Sequence, residues 1–176
     1  MKTIAALTLA SFALLCVPPA NADIIETFGT GTNAFTMTFV PIGNPGNAPD
    51  ATGDPNPAGS VGYHCRMGKY EVSRDMIIKA NAAGNLGITL ADMTFYGGNG
   101  VDRPATGISW NEAARYVNWL NTIKGFSPAY KFATQPGDVG YNANANIQLW
   151  QPGDPGYNAA NLFRNSQAKY FLPSVD

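Results

Sequence analysis

Residues 109–125 read SWNEAARYVNWLNTIKG and predict a helix together with both of its ends. Ser109 is placed to cap the helix, and Glu112 follows three residues later. This is the spacing of a capping box, which satisfies two backbone N–H groups that would otherwise lack acceptors. The apolar residues at helical spacing predict one buried stripe, formed by Ala113, Ala114, Val117, Leu120 and Ile123. Gly125 supplies the left-handed residue that commonly closes a helix.

Two strands and a second helix are predicted on the N-terminal side. Residues 35–42 and 62–72 each alternate between side chains for a buried face and side chains for an exposed face. Ser73 can cap a helix that ends at Gly84. We expect the helix that begins at Ser109 to pack against both strands. Residues 43–60 combine Gly, Pro, Asn and Asp with few apolar groups, which predicts a flexible loop.

A short repeat marks the C-terminal part. Residues 135–142 read QPGDVGYN, and residues 151–158 read QPGDPGYN. Oxygen ligands for calcium are available from Asp138, Asn142, Asp154 and Asn158. We favour plain turns instead, because Asp and Asn occupy turns mostly for hydrogen bonds to the local backbone. Residues 169–172 (KYFL) predict a short strand.

The composition restricts the class of protein. The 176 residues are 45% hydrophobic and only 13% charged, and they include 19 Gly and 13 Pro, which indicates one loop-rich domain with a real core. The net charge of -1 offers no basic surface for nucleic acid. One His and two Cys are too few for a His/Cys metal cluster.

Residues 1–22 predict a cleaved secretory signal. Lys2 precedes an apolar run too short to span a bilayer comfortably, and Ala20-Asn21-Ala22 matches the small-residue pattern of a cleavage site. The alternative is a retained anchor. Cys16 belongs to this segment, and Leu15 before it is too large for lipoprotein processing. We therefore expect residues 23–176 to be secreted, to the periplasm or the extracellular space, with no further membrane span.

Three segments resemble one known family. Residues 68–73 (GKYEVS) are similar to the KYEVT segment of the formylglycine-generating enzyme, or sulfatase-modifying factor, family. Residues 106–120 resemble its P-V-x-x-V-S-W-x-E-A-x-x-Y-x-x-W-L segment, and residues 171–174 (FLPS) resemble the start of its R-L-P-T-E-A-E-W-E-Y-A motif. The resemblance implies an irregular, loop-rich α+β fold of the C-type-lectin-like kind, with two main helices and short strands. It also implies that residues 23–176 cover the N-terminal part of the domain, truncated at its C-terminal side.

The resemblance implies an activity as well. The family's prototype is an oxygen-dependent copper enzyme that converts a sulfatase cysteine to formylglycine, some relatives are described as nonheme iron enzymes, and members bind calcium. The active thiols lie downstream of the LPT motif, so no residue here is assigned as catalytic, cofactor-binding or metal-binding.

Residues with reactive or charged side chains have structural interpretations. Cys65 is expected to be buried and inert, with His64 and Arg66 on the opposite face of its strand. His64 is expected to be exposed. Asp102 and Arg103 are placed to form a local surface ion pair.

Two functions follow as hypotheses. The first is that the parent protein is an oxygen-dependent, metal-assisted oxidase acting on a protein or small thiol, while the chain itself is inactive. The alternative is a non-catalytic extracellular module that binds a peptide or glycan with the same fold. Long loops with many Asn and aromatic residues suit recognition. In either case, we expect the truncation to leave an exposed, apolar sheet edge near Tyr170.

Overall fold

The computed structural model describes residues 22–42, 44–52, 56–60 and 62–173. They form a small α+β fold with a three-stranded antiparallel sheet and two helices. The elements are β1 (Ile24–Phe28), β2 (Phe35–Ile42), β3 (Cys65–Gly68), α1 (Arg74–Gly84) and α2 (Trp110–Thr122), with short 3-10 turns at Gly31–Asn33 and Thr94–Tyr96. The predicted α+β class is confirmed.

The sheet has the order β1-β2-β3. Phe28 pairs with Phe35 across the first two strands, and both side chains are buried on the face that meets the helices. The strand predicted at 35–42 is confirmed. The strand predicted at 62–72 is wrong in length, because only Cys65–Gly68 pairs with β2 and the chain turns away after Lys69.

Both helices begin as predicted. Ser73 accepts a hydrogen bond from the Met76 amide, and α1 ends at Gly84, where Asn85 takes the left-handed conformation. Ser109 and Glu112 form the complete capping box of α2. Gly125 has a φ of +77°, as a helix stop requires, although α2 itself ends at Thr122.

The core lies between β1, β2 and the two helices. Aromatic rings dominate it: Phe35 stacks on both Phe28 and Trp119, and Tyr170 meets the edge of Phe28. From α2, Ala114, Val117 and Leu120 are buried in the core as expected. Ala113 is only half-buried, and Ile123 is exposed because it follows the end of the helix, so its place in the buried stripe is wrong.

Beyond α2, described residues 125–173 contain one isolated β-bridge, between Lys131 and Gln148, and no helix or strand. The predicted strand at 169–172 is wrong. Asn121 takes the place of a partner strand: its Oδ1 accepts the N–H groups of Lys169 and Tyr170, and its Nδ2 donates to the Tyr170 carbonyl. Tyr170 itself is buried, so the exposed apolar edge expected there is also wrong.

The predicted signal peptide and the predicted loop at 43–60 lie wholly or partly outside the described residues. The signal peptide, apart from Ala22, lies outside the described residues, and so does Cys16. Residues 44–52 and 56–60 of the predicted loop are irregular, with one bridge between Asp50 and Ala58, and the rest of that segment lies outside the described residues. Among the helices that the structure describes, none has the length and hydropathy needed to cross a membrane.

Candidate functional site

Four buried polar residues stand at every third position of α2. We call this set the polar row; it consists of Glu112, Arg115, Asn118 and Asn121. Buried polar side chains are costly unless they are hydrogen-bonded. Each of these four hydrogen-bonds to backbone groups of loops, so the helix serves as the internal support of the irregular part of the chain.

The two asparagines of the row fix separate loops. Asn118 acts on both sides of Tyr130: its Nδ2 donates to the Tyr130 carbonyl at 2.7 Å, and its Oδ1 accepts the Tyr130 N–H at 2.9 Å. This pair of bonds imitates the pairing of a strand with a neighbour. Asn121 does the same for residues 169 and 170, as described above, and is completely buried.

Arg115 supports the first QPGD turn and is 3% exposed. Its Nε donates to the Ala143 carbonyl at 3.1 Å, its Nη1 to Thr134 at 3.1 Å and its Nη2 to Asn142 at 3.0 Å. The guanidinium also lies over Phe132, with Cζ 3.8 Å from the ring centroid. Burial lowers the pKa of Arg115, but an arginine stays charged in proteins.

Among the described residues, no carboxylate pairs directly with this buried cation. Glu112, one turn earlier, directs Oε1 to the Thr89 N–H and Oε2 to the Ser109 N–H, both at 2.8 Å. Within the described part of the chain, every ion pair uses a lysine, and none uses Arg115. Among the described residues, three carbonyl oxygens and the rings of Phe132 and Tyr141 are therefore the immediate neighbours of the guanidinium charge.

Arg115 also lines a cleft of about 460 Å³ between α2, the end of α1 and the first QPGD turn. We call it the α2 cleft. Its lining residues are Gly84, Leu86, Arg115, Asn118, Trp119, Thr122, Pro128, Phe132, Gln135 and Pro136. The volume lies within the range of small-molecule sites. Leu86, Trp119 and Phe132 give it an apolar floor, while Thr122 and Gln135 stand exposed at its rim.

The Trp119 indole leaves one donor available in this wall. Its Nε1 makes no hydrogen bond to any described residue and is not among their fully buried unsatisfied atoms. Gly84 permits the close approach of α1 here, because a Cβ at that position would lie 2.7 Å from Trp119 Nε1. The α2 cleft thus combines an apolar floor, an available N–H group and a desolvated positive charge.

The two QPGD repeats are both turns, which confirms the interpretation of Asp138 and Asp154. In the first, the Gln135 N–H donates to Asp138 Oδ2 at 2.7 Å, and in the second the Gln151 N–H donates to Asp154 Oδ2 at the same distance. Asn142 and Asn158 close the following turns in the same way, each accepting the N–H two residues later.

The residues first considered for chemistry do not converge. His64 is exposed as predicted, while Cys65 is half-buried rather than buried and borders a smaller cavity of about 260 Å³ with Tyr63 and Asn47. Cys65 lies on β3, which is an edge strand of the described sheet. The described residues contain no cluster of three or more His, Cys, Asp or Glu side chains suited to a metal ion.

The Asp102–Arg103 ion pair is wrong as well. The guanidinium of Arg103 lies over the backbone of Gly97 and Gly100 instead, and the pair is not among the ion pairs of the described residues. Arg103 borders a loop in which Asp92 accepts hydrogen bonds from Thr94 and Asn99. Those bonds, with that of the Thr94 hydroxyl foremost, lower the pKa of Asp92 to about 2.

Sequence reasoning missed Arg115 and the α2 cleft. The sequence did contain a signal, because α2 has a polar residue at every third position from 112 to 121, beside its apolar stripe. A helix with this pattern cannot bury a face that is purely apolar. A helix with such a row needs polar partners inside the protein. Its partners are loop carbonyls and amides, which have no sequence pattern of their own.

The fold and the cleft define a small α+β domain with a loop-rich half supported by one helix. Comparison with known protein families, with curated proteins and with solved structures found no match for this chain.

Proposed function

We propose that this chain is an exported, non-catalytic binding module with the C-type-lectin-like fold of the sulfatase-modifying factor family, and that it takes up its ligand in the α2 cleft. The observation that carries the binding function is the α2 cleft itself, with an apolar floor, an available indole N–H and a buried guanidinium that has no carboxylate partner among the described residues. A few polar groups converging on an apolar pocket are typical of ligand sites.

The family assignment is supported by how its three segments lie together. The first segment includes Val72, whose carbonyl accepts the Ala105 N–H at 2.8 Å just before the second segment begins. The third is tied to the same body, since the Leu172 N–H donates to the Tyr130 hydroxyl at 2.8 Å. The segments that resemble the family thus belong to one packed unit.

Export is proposed from residues 1–22, with the periplasm or the extracellular space as the destination. Ligand binding suits a chain with many ordered loops, because loops that are held by internal hydrogen bonds lose little entropy when a ligand binds. Here the polar row supplies that order, from Tyr130 to Tyr170.

An NMR screen tests the binding function. Purified protein labelled with 15N is titrated with peptides, glycans and small organic molecules, and the indole signal of Trp119 is followed after assignment with Trp119→Phe. Trp110→Phe is the matched control, because Trp110 is half exposed and does not line the cleft. Binding in the cleft is expected to shift the Trp119 signal and leave that of Trp110 in place.

The alternative is the oxidase that the family resemblance implies. Its specific support is the motif resemblance, and its substrate would be a protein or small thiol, with copper or iron as the metal. Because the resemblance places the active thiols downstream of the LPT motif, oxygen consumption with a thiol peptide and added copper tests it on a protein that includes that downstream segment. Turnover without any perturbation of Trp119 would replace the binding function with the oxidase.

A further inference from the structure

The ionisable side chains that line the α2 cleft are of one sign, positive. Of its lining residues, Arg115 alone is ionisable, so the wall is cationic and has no carboxylate. The nearest acid along the helix, Glu112, is already engaged with two backbone N–H groups. A desolvated cation beside an apolar floor favours a ligand that brings a negative charge, because the low local dielectric strengthens their attraction.

Donors without acceptors are also concentrated here. A guanidinium has five N–H groups, and three of those of Arg115 reach loop carbonyls. The remaining two, one on each Nη, make no hydrogen bond to a described carbonyl or carboxylate, and the Tyr141 side chain, 4.6 Å from Cζ to the ring centroid, is the described neighbour that can accept from one of them. Together with the Trp119 indole N–H, Arg115 therefore leaves donor capacity in the cleft wall, whereas the side-chain oxygen of Asn118 already accepts the Tyr130 N–H.

We propose that the α2 cleft binds a small organic anion, with a carboxylate directed at Arg115 and Trp119 and an apolar body against Phe132 and Leu86. This rests on the proposed binding function and names its ligand class. A volume of about 460 Å³ accommodates such a molecule whole. A longer polymer would make most of its contacts outside the cleft.

Benzoate and benzamide provide the direct test. They have the same ring and nearly the same shape, but only benzoate is charged. We expect benzoate to bind at least about tenfold more tightly, because a charge-assisted hydrogen bond to a desolvated guanidinium separates the two. Calorimetry or the shift of the Trp119 indole signal gives both affinities.

Variants at the rim test the role of charge without disturbing the fold. Gln135 is exposed and lines the cleft, so Gln135→Glu is expected to weaken benzoate binding about threefold or more, and Gln135→Lys to strengthen it. Gln151 occupies the same position in the second repeat, away from the cleft. Gln151→Glu is therefore the matched control and is expected to leave the affinity unchanged.

The outcomes separate this proposal from the function on which it rests. Equal binding of benzoate and benzamide at the Trp119 signal, or equal affinities of the two Gln135 variants for benzoate, overturns the anionic ligand and leaves a neutral ligand in the same cleft. Tighter binding of a Glu-containing peptide than of benzoate overturns the small-molecule assignment. No perturbation of Trp119 by any compound overturns the binding function itself.

Discussion

Residues 135–142 and 151–158 fold into the same turn twice, yet the two turns differ in what holds them to the protein. Within each turn, the hydrogen bonds are equivalent: the aspartate accepts the glutamine N–H, and the tyrosine N–H returns to the aspartate carbonyl at 3.1 Å. Gly140 and Gly156 have φ values of +78° and +79°. The local sequence alone therefore determines the shape of the turn.

The second turn is fixed from several sides. Asn165, 2% exposed, donates to the Pro155 carbonyl at 3.0 Å, and the Ser166 N–H reaches the Gly156 carbonyl at 2.9 Å. Lys131 pairs with Asp154 at 2.6 Å. This turn is built into the body of the domain.

The first turn is attached through fewer groups. Arg115 holds its two ends, through the carbonyls of Thr134 and Asn142, and the Tyr141 hydroxyl reaches the Leu86 carbonyl at 2.5 Å. Val139 at its tip is fully exposed. One turn therefore serves as structure, while the other forms the rim of the α2 cleft and depends on the residue that gives the cleft its charge.

The largest difference is expected between Gly156→Ala and Gly140→Ala. Both substitutions strain a left-handed residue, which costs about 1 kcal/mol. At position 156 the new Cβ would also lie 1.7 Å from Asn165 Oδ1, whereas nothing stands within 4 Å at position 140. Because Asn165 must then move and lose its bonds, we expect Gly156→Ala to cost about 3–4 kcal/mol in urea unfolding. Equal costs for the two variants would contradict the difference in anchoring.

Arg115→Met should release the first turn and spare the second. Three loop carbonyls lose their donor, so we expect a loss of about 2–3 kcal/mol in the free energy of unfolding. Hydrogen exchange locates the effect: the Tyr141 amide should lose protection and the Tyr157 amide should keep it. Loss at both amides would show that the turns are coupled.

Val139→Pro should make the first turn more like the second, which has Pro155 at the matching position. The Val139 N–H donates to no described acceptor, and Asp138 makes the same hydrogen bonds as its counterpart Asp154, which precedes a proline. We expect a gain of about 0.5–1 kcal/mol, because proline reduces the entropy of the unfolded chain. A loss of stability in thermal unfolding would mean that the two backbones are not equivalent.

The smallest effect is expected from Asp154→Asn. The Lys131 hydrogen bond, followed by that of the Gln151 N–H, lowers the pKa of Asp154 below its usual 3.8. A lowered folded-state pKa gives stability that is present above the ordinary value and is lost as the pH falls through the folded-state value. The Tm of the wild type should exceed that of the variant at pH 7, and the gap should close below pH 3.8. Asp138→Asn, which has no lysine partner, should change the Tm less.

Local signals in the sequence predicted much of the regular structure. Both N-caps, the strand at 35–42 and the end of α1 follow from residues next to each other in the chain. Such features depend on nearby backbone groups, so their chemistry is visible in a short window. The two turns belong to the same category.

The candidate site was not predictable in this way. Arg115 and Asn121 would be placed on an exposed face by their polarity, yet they are buried because distant loops supply their partners, up to 49 residues away for Asn121. The same cause explains the wrong strand at 169–172. Asn121 makes the hydrogen bonds that a neighbouring strand would make with the backbone of residues 169 and 170. Nothing in the sequence of residues 169–172 indicates that partner.

The claim that the first turn borders a ligand site is tested most directly by comparing two amides during a benzoate titration. The N–H groups of Gln135 and Gln151 make equivalent hydrogen bonds at 2.7 Å, but only Gln135 lines the α2 cleft. We predict that the Gln135 amide shifts together with the Trp119 indole, while the Gln151 amide stays in place. Equal shifts at both amides, or shifts at neither, would contradict the account.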